Sequence, residues 1–334
     1  MRLITKRRYI YHPSWHIVYE WEEDIYNNLQ IPLSLDDKNL YSKIPKGKGK
    51  LYDILCKIDN LYSRKRKSSD NAFFFLMNIF DYFPVYPCAR NISIPYIIDF
   101  FVDEDKLAYF YTKFKKCPLV LVSSFEAYNF LKERKCLLNV KCIPLSLSDR
   151  YKISSEYIEK KYDVIALGRT NPILMEFLET YLKENPNVEF VYQKNSNKGD
   201  YAYYSTKTGK IGEANSRADY MEILGKSKIA LYSTPGMDNS RSTNGFNPVT
   251  PKFLELISKQ CHIIARYPDT EECRFFEMGK ISRHIDNYQL FKDTMNKYLA
   301  TPVDLKLYGE VLEKHYTSKR IIELQKIIKE FSLS

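Results

Sequence analysis

Hydrophobic positions along the chain come in blocks whose period changes repeatedly between two kinds. The continuous apolar runs Ala72–Met77, Pro95–Phe101, Leu119–Val122 and Val140–Pro144 predict strands buried on both faces. A strand with one wet face would show a polar residue at every second position. Between these runs the spacing becomes helical, over Glu20–Leu29, Leu51–Tyr62, Asp103 to Lys116 and Phe125–Arg134. Leu51, Ile54, Leu55, Ile58 and Leu61 share one helical face, the pattern of a helix laid on a core. Arg8–His12, closed by Pro13, predicts the first strand, and residues 36–50 read as a loop. Ser123 and Ser124 stand where the helix at Phe125 needs a cap. Strands separated by helices imply a parallel α/β sheet.

The polar stretch Ser146–Lys161 has no clear period and marks a boundary, after which the alternation starts again. Tyr162–Leu167 predicts a strand that ends at Gly168-Arg169, followed by the helix Ile173–Glu184 and the strand Val188–Gln193. Residues 194–217, rich in Lys, Ser, Gly and Tyr, read as a long loop. A helix at Ala218–Gly225 and a strand at Ile229–Tyr232 lead into a second long loop, 233–251, which holds Pro235, Gly236, Gly245, Pro248 and Pro251. The helix Lys252–Lys259, the strand His262–Ala265 and a run of helices complete the pattern. The expected fold is α/β, two Rossmann-like domains facing a cleft. The expected domains are 1–155, 156–310 and a terminal helical segment 311–334 that packs back on the first. Open α/β sheets bind ligands beyond the carboxyl ends of their strands, where both long loops fall.

Composition narrows the class. With 334 residues, 44% hydrophobic and 28% charged, the chain can fill two cores and is not of the disordered type. No apolar run approaches the roughly 18 residues of a membrane span. The basic residues Arg2, Lys6, Arg7 and Arg8 precede no apolar core, so no signal peptide is read and a cytoplasmic location is expected. The seven cysteines form no CxxC pair and no zinc-like spacing with the five histidines, and they read as reduced thiols. The net charge is +10, and residues 38–67 carry ten basic residues against Asp53 and Asp59. Such a segment suits phosphate, an anionic membrane surface or nucleic acid. An AT-rich coding bias, visible in abundant Lys, Ile, Asn and Tyr, raises basicity without any function.

The chemistry concentrates in Gly245-Phe246-Asn247-Pro248-Val249-Thr250-Pro251-Lys252-Phe253-Leu254-Glu255. Pro251 suits the start of a helix. Loop amides and a helix N-terminus make an anion site that Lys252 would reinforce. Glu255, one turn on, can accept hydrogen bonds from a sugar diol. An amphipathic helix with an exposed Lys–Glu pair is the plain alternative. In the first domain His12 and His16 follow the first expected strand, while Asp81 and Asp99 follow later ones. Each could orient an acceptor or act as a base, and each has a plain reading as a loop or capping residue. His262, inside an apolar strand, reads as a core residue. Asp103-Glu104-Asp105 is similar to the DxD metal motif of GT-A glycosyltransferases, but acids in a first helical turn explain it without metal.

The stretch Asn244–Asp269 resembles the C-terminal domain of group 1-type GT-B glycosyltransferases, especially those that build bacterial surface polysaccharides. The resemblance extends to Asp163–Arg169 and Ser227–Pro235, and more loosely to Asp99–Leu147. It implies transfer from a nucleoside-diphosphate sugar to a surface or capsular glycan or a lipid-linked oligosaccharide, with no metal and no other cofactor. Gly168 and Arg169 then match the diphosphate contact, and Glu255 matches the second glutamate of a paired motif, which holds the ribose. Gly245, Phe246 and Asn247 border the sugar. The first glutamate of the pair would fall at Asn247, and the family's lysine near Leu174 is missing. Lys252, Arg241 or Lys194 could replace it, with Lys252 favoured. A retaining enzyme needs no protein base, whereas an inverting one would draw it from His12, His16, Asp81 or Asp99. The basic segment would rest against the anionic inner membrane. The rivals are a sugar-nucleotide epimerase on the same fold, a nucleic-acid-binding protein and a relative that has lost activity. No nucleic-acid motif is present.

Overall fold

The computed structural model describes residues 1–8, 10, 15–35, 49–61, 71–195, 201–213, 216–238 and 243–333. They divide into two units, one of residues 1–148 with 317–334 and one of residues 149–316.

The first unit opens with β1 (Arg2–Thr5), α1 (His16–Leu29), β2 (Leu33–Leu35) and α2 (Gly49–Asp59). It continues with β3 (Ala72–Leu76), β4 (Ser93–Ile97), α3 (Glu104–Phe114), β5 (Val120–Val122), α4 (Phe125–Glu133) and β6 (Val140–Cys142). All six strands are parallel, in the order β2-β1-β3-β4-β5-β6. Every residue of β3 and β4 is buried, because helices cover both faces of the sheet. Phe74, Phe110 and Phe114 belong to the core on one face, and Trp21, Phe73 and Phe75 to that on the other.

Two expectations for this unit need correction. The first described strand is Arg2–Thr5; of the expected strand Arg8–His12, Arg8 and Ile10 are not in a strand and the other residues lie outside the described ones. Leu3 pairs with both Leu33 and Phe73, so this four-residue strand is buried by its neighbours rather than by an apolar run of its own. The helical face Leu51-Ile54-Leu55-Ile58-Leu61 does not lie on a core; all five side chains are exposed. α2 instead buries Tyr52 and Cys56, one turn apart on its other side. Periodicity reports that a helix has an apolar face; whether anything covers it depends on the rest of the chain.

The second unit holds β7 (Tyr162–Ala166), α5 (Pro172–Glu184), β8 (Phe190–Asn195), β9 (Tyr201–Ser205), β10 (Gly209–Glu213) and α6 (Arg217–Gly225). Then come β11 (Ser227–Ser233), α7 (Pro251–Ser258), β12 (His262–Arg266), α8 (Glu271–Phe275), α9 (Met278–Ile281), α10 (Tyr288–Ala300) and α11 (Leu305–Leu312). The strand order is β10-β9-β8-β7-β11-β12, with β8, β7, β11 and β12 parallel. Within the stretch 194–217, expected as a loop, β9 and β10 form an antiparallel hairpin that extends the sheet past β8. Its outer strand β10 is exposed or half-buried throughout, so it needs no apolar run and left no signal in the pattern. The chain winds from β7 to β8 on one side and reaches β11 on the other. This places a topological switch point at the carboxyl ends of β7 and β11. The last helix, α12 (Thr317–Glu330), belongs to the first unit and packs on α1. Among the described residues no helix is long and apolar enough to cross a membrane.

Candidate functional site

At the switch point of the second unit, β7 gives way to Gly168, whose φ of +64° turns the chain where a side chain would be strained. Arg169 follows. Its Nε forms an ion pair with the Asp238 carboxylate beyond β11, and its Nη2 donates to the Ser233 carbonyl at 3.3 Å. The Arg169 side chain is 41% exposed, while that of Asp238 is only 4% exposed. Asp238 also accepts from Ser233 Oγ and from Asn171 Nδ2. Asn171 is the N-cap of α5, its Oδ1 accepting from Ile173 N and Leu174 N, and its Nδ2 donates to the Met237 carbonyl at 2.7 Å. One buried amide thus ties the helix start to the turn that carries Asp238. That carboxylate fixes one edge of the Arg169 guanidinium, and among the described residues the remaining donors have no partner in the protein.

Pro251 opens α7, and Lys252 reaches from its first turn to the end of β7, donating to the Leu167 carbonyl at 2.7 Å. Burial, reinforced by the positive charge of Arg169 and opposed by Glu255 and Asp238, pushes the Lys252 pKa down to about 8. Two cations therefore repel across a partly desolvated space, and an arriving anion would relieve that repulsion. Glu255, one turn on, is 3% exposed. Its Oε1 accepts from Arg217 Nη2 at 2.6 Å and its Oε2 from the Tyr220 hydroxyl at 3.0 Å, both on α6. Burial, followed by the Glu255 charge, holds the Tyr220 hydroxyl well above its usual range. An exposed Lys–Glu pair is not what forms here. Each carboxylate oxygen of Glu255 keeps a second lone pair for a ligand hydroxyl.

The loop before α7 is built around Asn247, whose Oδ1 accepts from Thr234 Oγ1 at 2.7 Å while its Nδ2 donates to the Gly245 carbonyl at 2.8 Å. A glutamate at this position would have no hydrogen to give Gly245, which is a physical reason for an amide here. Gly245 turns the loop with a φ of +80°, and the amide of Phe246 donates to the Thr243 carbonyl at 3.0 Å. Gly236 lies so close that a Cβ on it would come 2.6 Å from Asn247 Nδ2 and 2.7 Å from the Gly245 carbonyl oxygen. Gly236→Ala is therefore expected to displace the loop at a cost of about 2 kcal/mol. A melting temperature equal to that of the wild type would refute this. Beyond β12 a cavity of about 640 Å³ is lined by Met237, Tyr267, Asp269, Arg274 and His284, within the usual size range of small-molecule sites.

Gly168, Arg169, Lys252 and Glu255 thus converge, and Gly245, Phe246 and Asn247 form the loop that leads into α7. Lys194 is stacked on the rings of Tyr192 and Tyr204, at 5.3 and 5.2 Å from their centroids. Arg241 lies outside the described residues. The Asn171–Pro172 pair carried a cap signal that the periodicity reading passed over. Ser216–Asp219 is likewise a capping box that introduces Arg217 and Tyr220. Asp238 had no signal at all, since its partners come from other loops.

In the first unit His12 lies outside the described residues, and His16 is the half-buried first residue of α1. Asp81 Oδ2 accepts from the Met77 amide at 2.6 Å and lies 3.7 Å from Lys6 Nζ. Asp99 donates its amide to the Met77 carbonyl, so both acids adjoin the carboxyl end of β3. Three buried groups escaped the sequence reading. Glu22 accepts from Thr5 Oγ1 at 2.6 Å, and burial pushes its pKa up to about 7. Lys113, donating to the carbonyls of Ile79 and Asp81, is pushed down to about 8 by burial. Lys6 is buried beside Asp81. They come from separate elements, so no spacing in the chain announces them. The DxD-like run caps α3, Asp103 accepting from the Lys106 amide at 3.1 Å, and Glu104 pairs with Arg134. His262 stacks on Tyr298 at 4.2 Å, and its Nε2 meets the Thr301 carbonyl.

No family model matches the chain, and no curated protein matches it. Solved structures do. An E. coli chain described as trehalose-6-phosphate bound with UDP-2-fluoro glucose superposes with a TM-score of 0.51 at 10% identity, over 84% of this chain and 76% of that one. The fold is GT-B. The pneumococcal O-GlcNAc transferase GtfA in complex with UDP and GlcNAc gives a TM-score of 0.48 at 14% identity, over 86% of this chain and 61% of its own. A GtfA/B complex gives 0.49 at 12% identity, over 85% and 60%. The chain therefore spans about three fifths of the length of these two proteins. Within the GT-B fold both Rossmann-like units present a switch point, at β1/β3 in the first and β7/β11 in the second. The convergent cations lie at the second.

Proposed function

We propose that this protein is a hexosyltransferase-like glycosyltransferase, moving a sugar from a nucleoside-diphosphate sugar to a growing surface polysaccharide or lipid-linked oligosaccharide. The observation that carries this reading is the pair Arg169 and Lys252, two cations held at the switch point beside the buried carboxylate of Glu255. The E. coli chain of the same fold carries UDP-2-fluoro glucose, which supports a donor of this chemistry. In this reading Arg169 and Lys252 neutralise the leaving diphosphate, where most of the transition-state charge develops. Gly168 leaves the approach open, since a Cβ there would meet no atom within 4 Å. Glu255 accepts from the ribose diol, and Asn247 with the Gly245–Phe246 backbone borders the sugar. The two side-chain cations supply the positive charge, so the reading needs neither metal nor other cofactor.

Retention of configuration fits best, because the departing phosphate, held by two cations, can take the acceptor proton itself. Asp81, Asp99, His16 and His12 then bind acceptor hydroxyls rather than serve as base. The site of action in this reading is the cytoplasm, at the inner face of an anionic membrane, where the basic segment 38–67 meets phospholipid. Residues 38–48 and 62–67 of that segment lie outside the described residues.

The direct test is a thermal-shift series with UDP, GDP, CDP and ADP and their sugars, since a ligand of the native state raises the melting temperature by mass action. One nucleotide is expected to bind; no shift with any of them would defeat the reading. Its affinity should be level below pH 8 and then fall up to tenfold per pH unit as Lys252 loses its proton. Stability of the free protein moves the other way. Because the folded pKa of Lys252 is depressed, the unfolded chain binds more protons above pH 8, and stability rises with pH toward the ordinary lysine value. Lys252→Arg should abolish the pH dependence of binding, and a variant that keeps it would show another group at work.

A further inference from the structure

More than half of the large apolar side chains exposed among the described residues lie on one part of the first unit, on α2 and the turns after β3. Leu51, Ile54, Leu55 and Ile58 recur at helical spacing and are 43–51% exposed, and Leu61, just past the helix, is 83% exposed. Among the described residues, α2 packs through its opposite side. Tyr52 packs on Phe83 with tilted rings, centroids 6.0 Å apart, and the Cys56 carbonyl accepts from Arg90 Nη2 at 2.9 Å. Phe80, 54% exposed, continues the apolar surface. Its ring lies 5.1 Å from that of Tyr109, whose hydroxyl donates to Asp53 on α2. A patch of this kind is rare on a protein that meets only water.

Charge identifies what covers it. Residues 38–67 hold ten basic residues and two acidic ones, and both acids turn inward. Asp59, 11% exposed, is bound by Arg90 Nη2 at 2.9 Å and Lys116 Nζ at 3.3 Å, and Asp53 is engaged by Tyr109. Lys57 stands exposed on α2. The segment therefore has a net charge of +8 by sequence, with Lys57 exposed beside the aliphatic stripe; its other basic residues, at 38–50 and 64–67, lie outside the residues whose side chains are described. An anionic bilayer takes both at once, with acyl chains for Leu and Ile and headgroup phosphates for Lys and Arg. A nucleic acid would use the charge and leave the stripe in water.

We propose that α2 docks the first unit on an anionic lipid bilayer, its Leu/Ile stripe entering the interface. The proposal rests on the functional reading only for its purpose, the approach to a lipid-linked acceptor; docking itself belongs to the first unit. The test floats the full-length protein with phosphatidylcholine vesicles, with and without phosphatidylglycerol, and compares the double variant Ile54→Ser/Ile58→Ser. The wild type should bind the anionic vesicles, and the variant about tenfold more weakly, with melting temperature and nucleotide shift unchanged. Wild type that ignores anionic vesicles, or a variant that binds them equally well, overturns the proposal. So does a variant that turns a dimer into a monomer while keeping its lipid affinity, since the stripe would then be a contact between copies. Vesicle binding without any nucleotide shift would support docking and count against the donor site alone.

Discussion

Arg169→Ala is expected to weaken nucleoside-diphosphate binding by at least about 100-fold. Asp238 and the Ser233 carbonyl hold one edge of the guanidinium, so the donors left over are pre-aimed rather than free to rotate. Two charge-assisted hydrogen bonds of about 1.5 kcal/mol each already account for that factor. Arg169→Lys keeps the charge but loses the planar fork, and should recover only part of the affinity. The substitution also leaves Asp238 buried without its counter-ion, so some loss of stability accompanies it. Calorimetric titration with the nucleotide found by thermal shift measures the effect. An unchanged dissociation constant in Arg169→Ala would remove this arginine from the donor site.

Glu255→Ala carries the second large expectation, a loss of about 3–5 kcal/mol in the stability of the second unit. The carboxylate is 3% exposed and Arg217 only 15% exposed, so its removal takes a close ion pair from a mostly buried cation and the acceptor from the Tyr220 hydroxyl. Urea unfolding should show a clear fall in midpoint, and a midpoint equal to that of the wild type would mean that the pair contributes nothing. Glu255→Gln separates fold from recognition. It preserves shape and one acceptor oxygen, and it is expected to weaken binding of the nucleotide found by thermal shift about tenfold while leaving pyrophosphate binding unchanged. Equal losses for both ligands would place Glu255 at the phosphates instead of the ribose.

Much of the architecture was legible because it rests on short-range pattern. The buried strands β3, β4 and β5 show as continuous apolar runs, and β7 with α5 shows as a run, a glycine and a helical period. Lys252 and Glu255 were singled out by the loop and helix start that carry them, whereas Gly168 and Arg169 came from the resemblance to GT-B glycosyltransferases; the structure places all four at the carboxyl end of β7 and the start of α7. What escaped was either short, wet or non-local. β1 is four residues long and owes its burial to β2 and β3. The hairpin of β9 and β10 sits at the sheet edge and needs little apolar surface, so its composition looks like that of a loop.

The sequence by itself determined two alternating α/β units and the approximate ends of most of their elements. These follow from backbone periodicity and the burial it demands, which any stretch of chain displays locally. Only the tertiary structure decided how the residues of the candidate site are charged and held. Asp238 reaches Arg169 from another loop, Arg217 and Tyr220 reach Glu255 from another helix, and Lys252 loses much of its basicity through burial beside Arg169. The same holds for α2, whose apolar stripe is plain in the chain and was expected to be core. Whether a hydrophobic face is covered depends on what the rest of the fold brings to it, and here the fold brings nothing to it among the described residues.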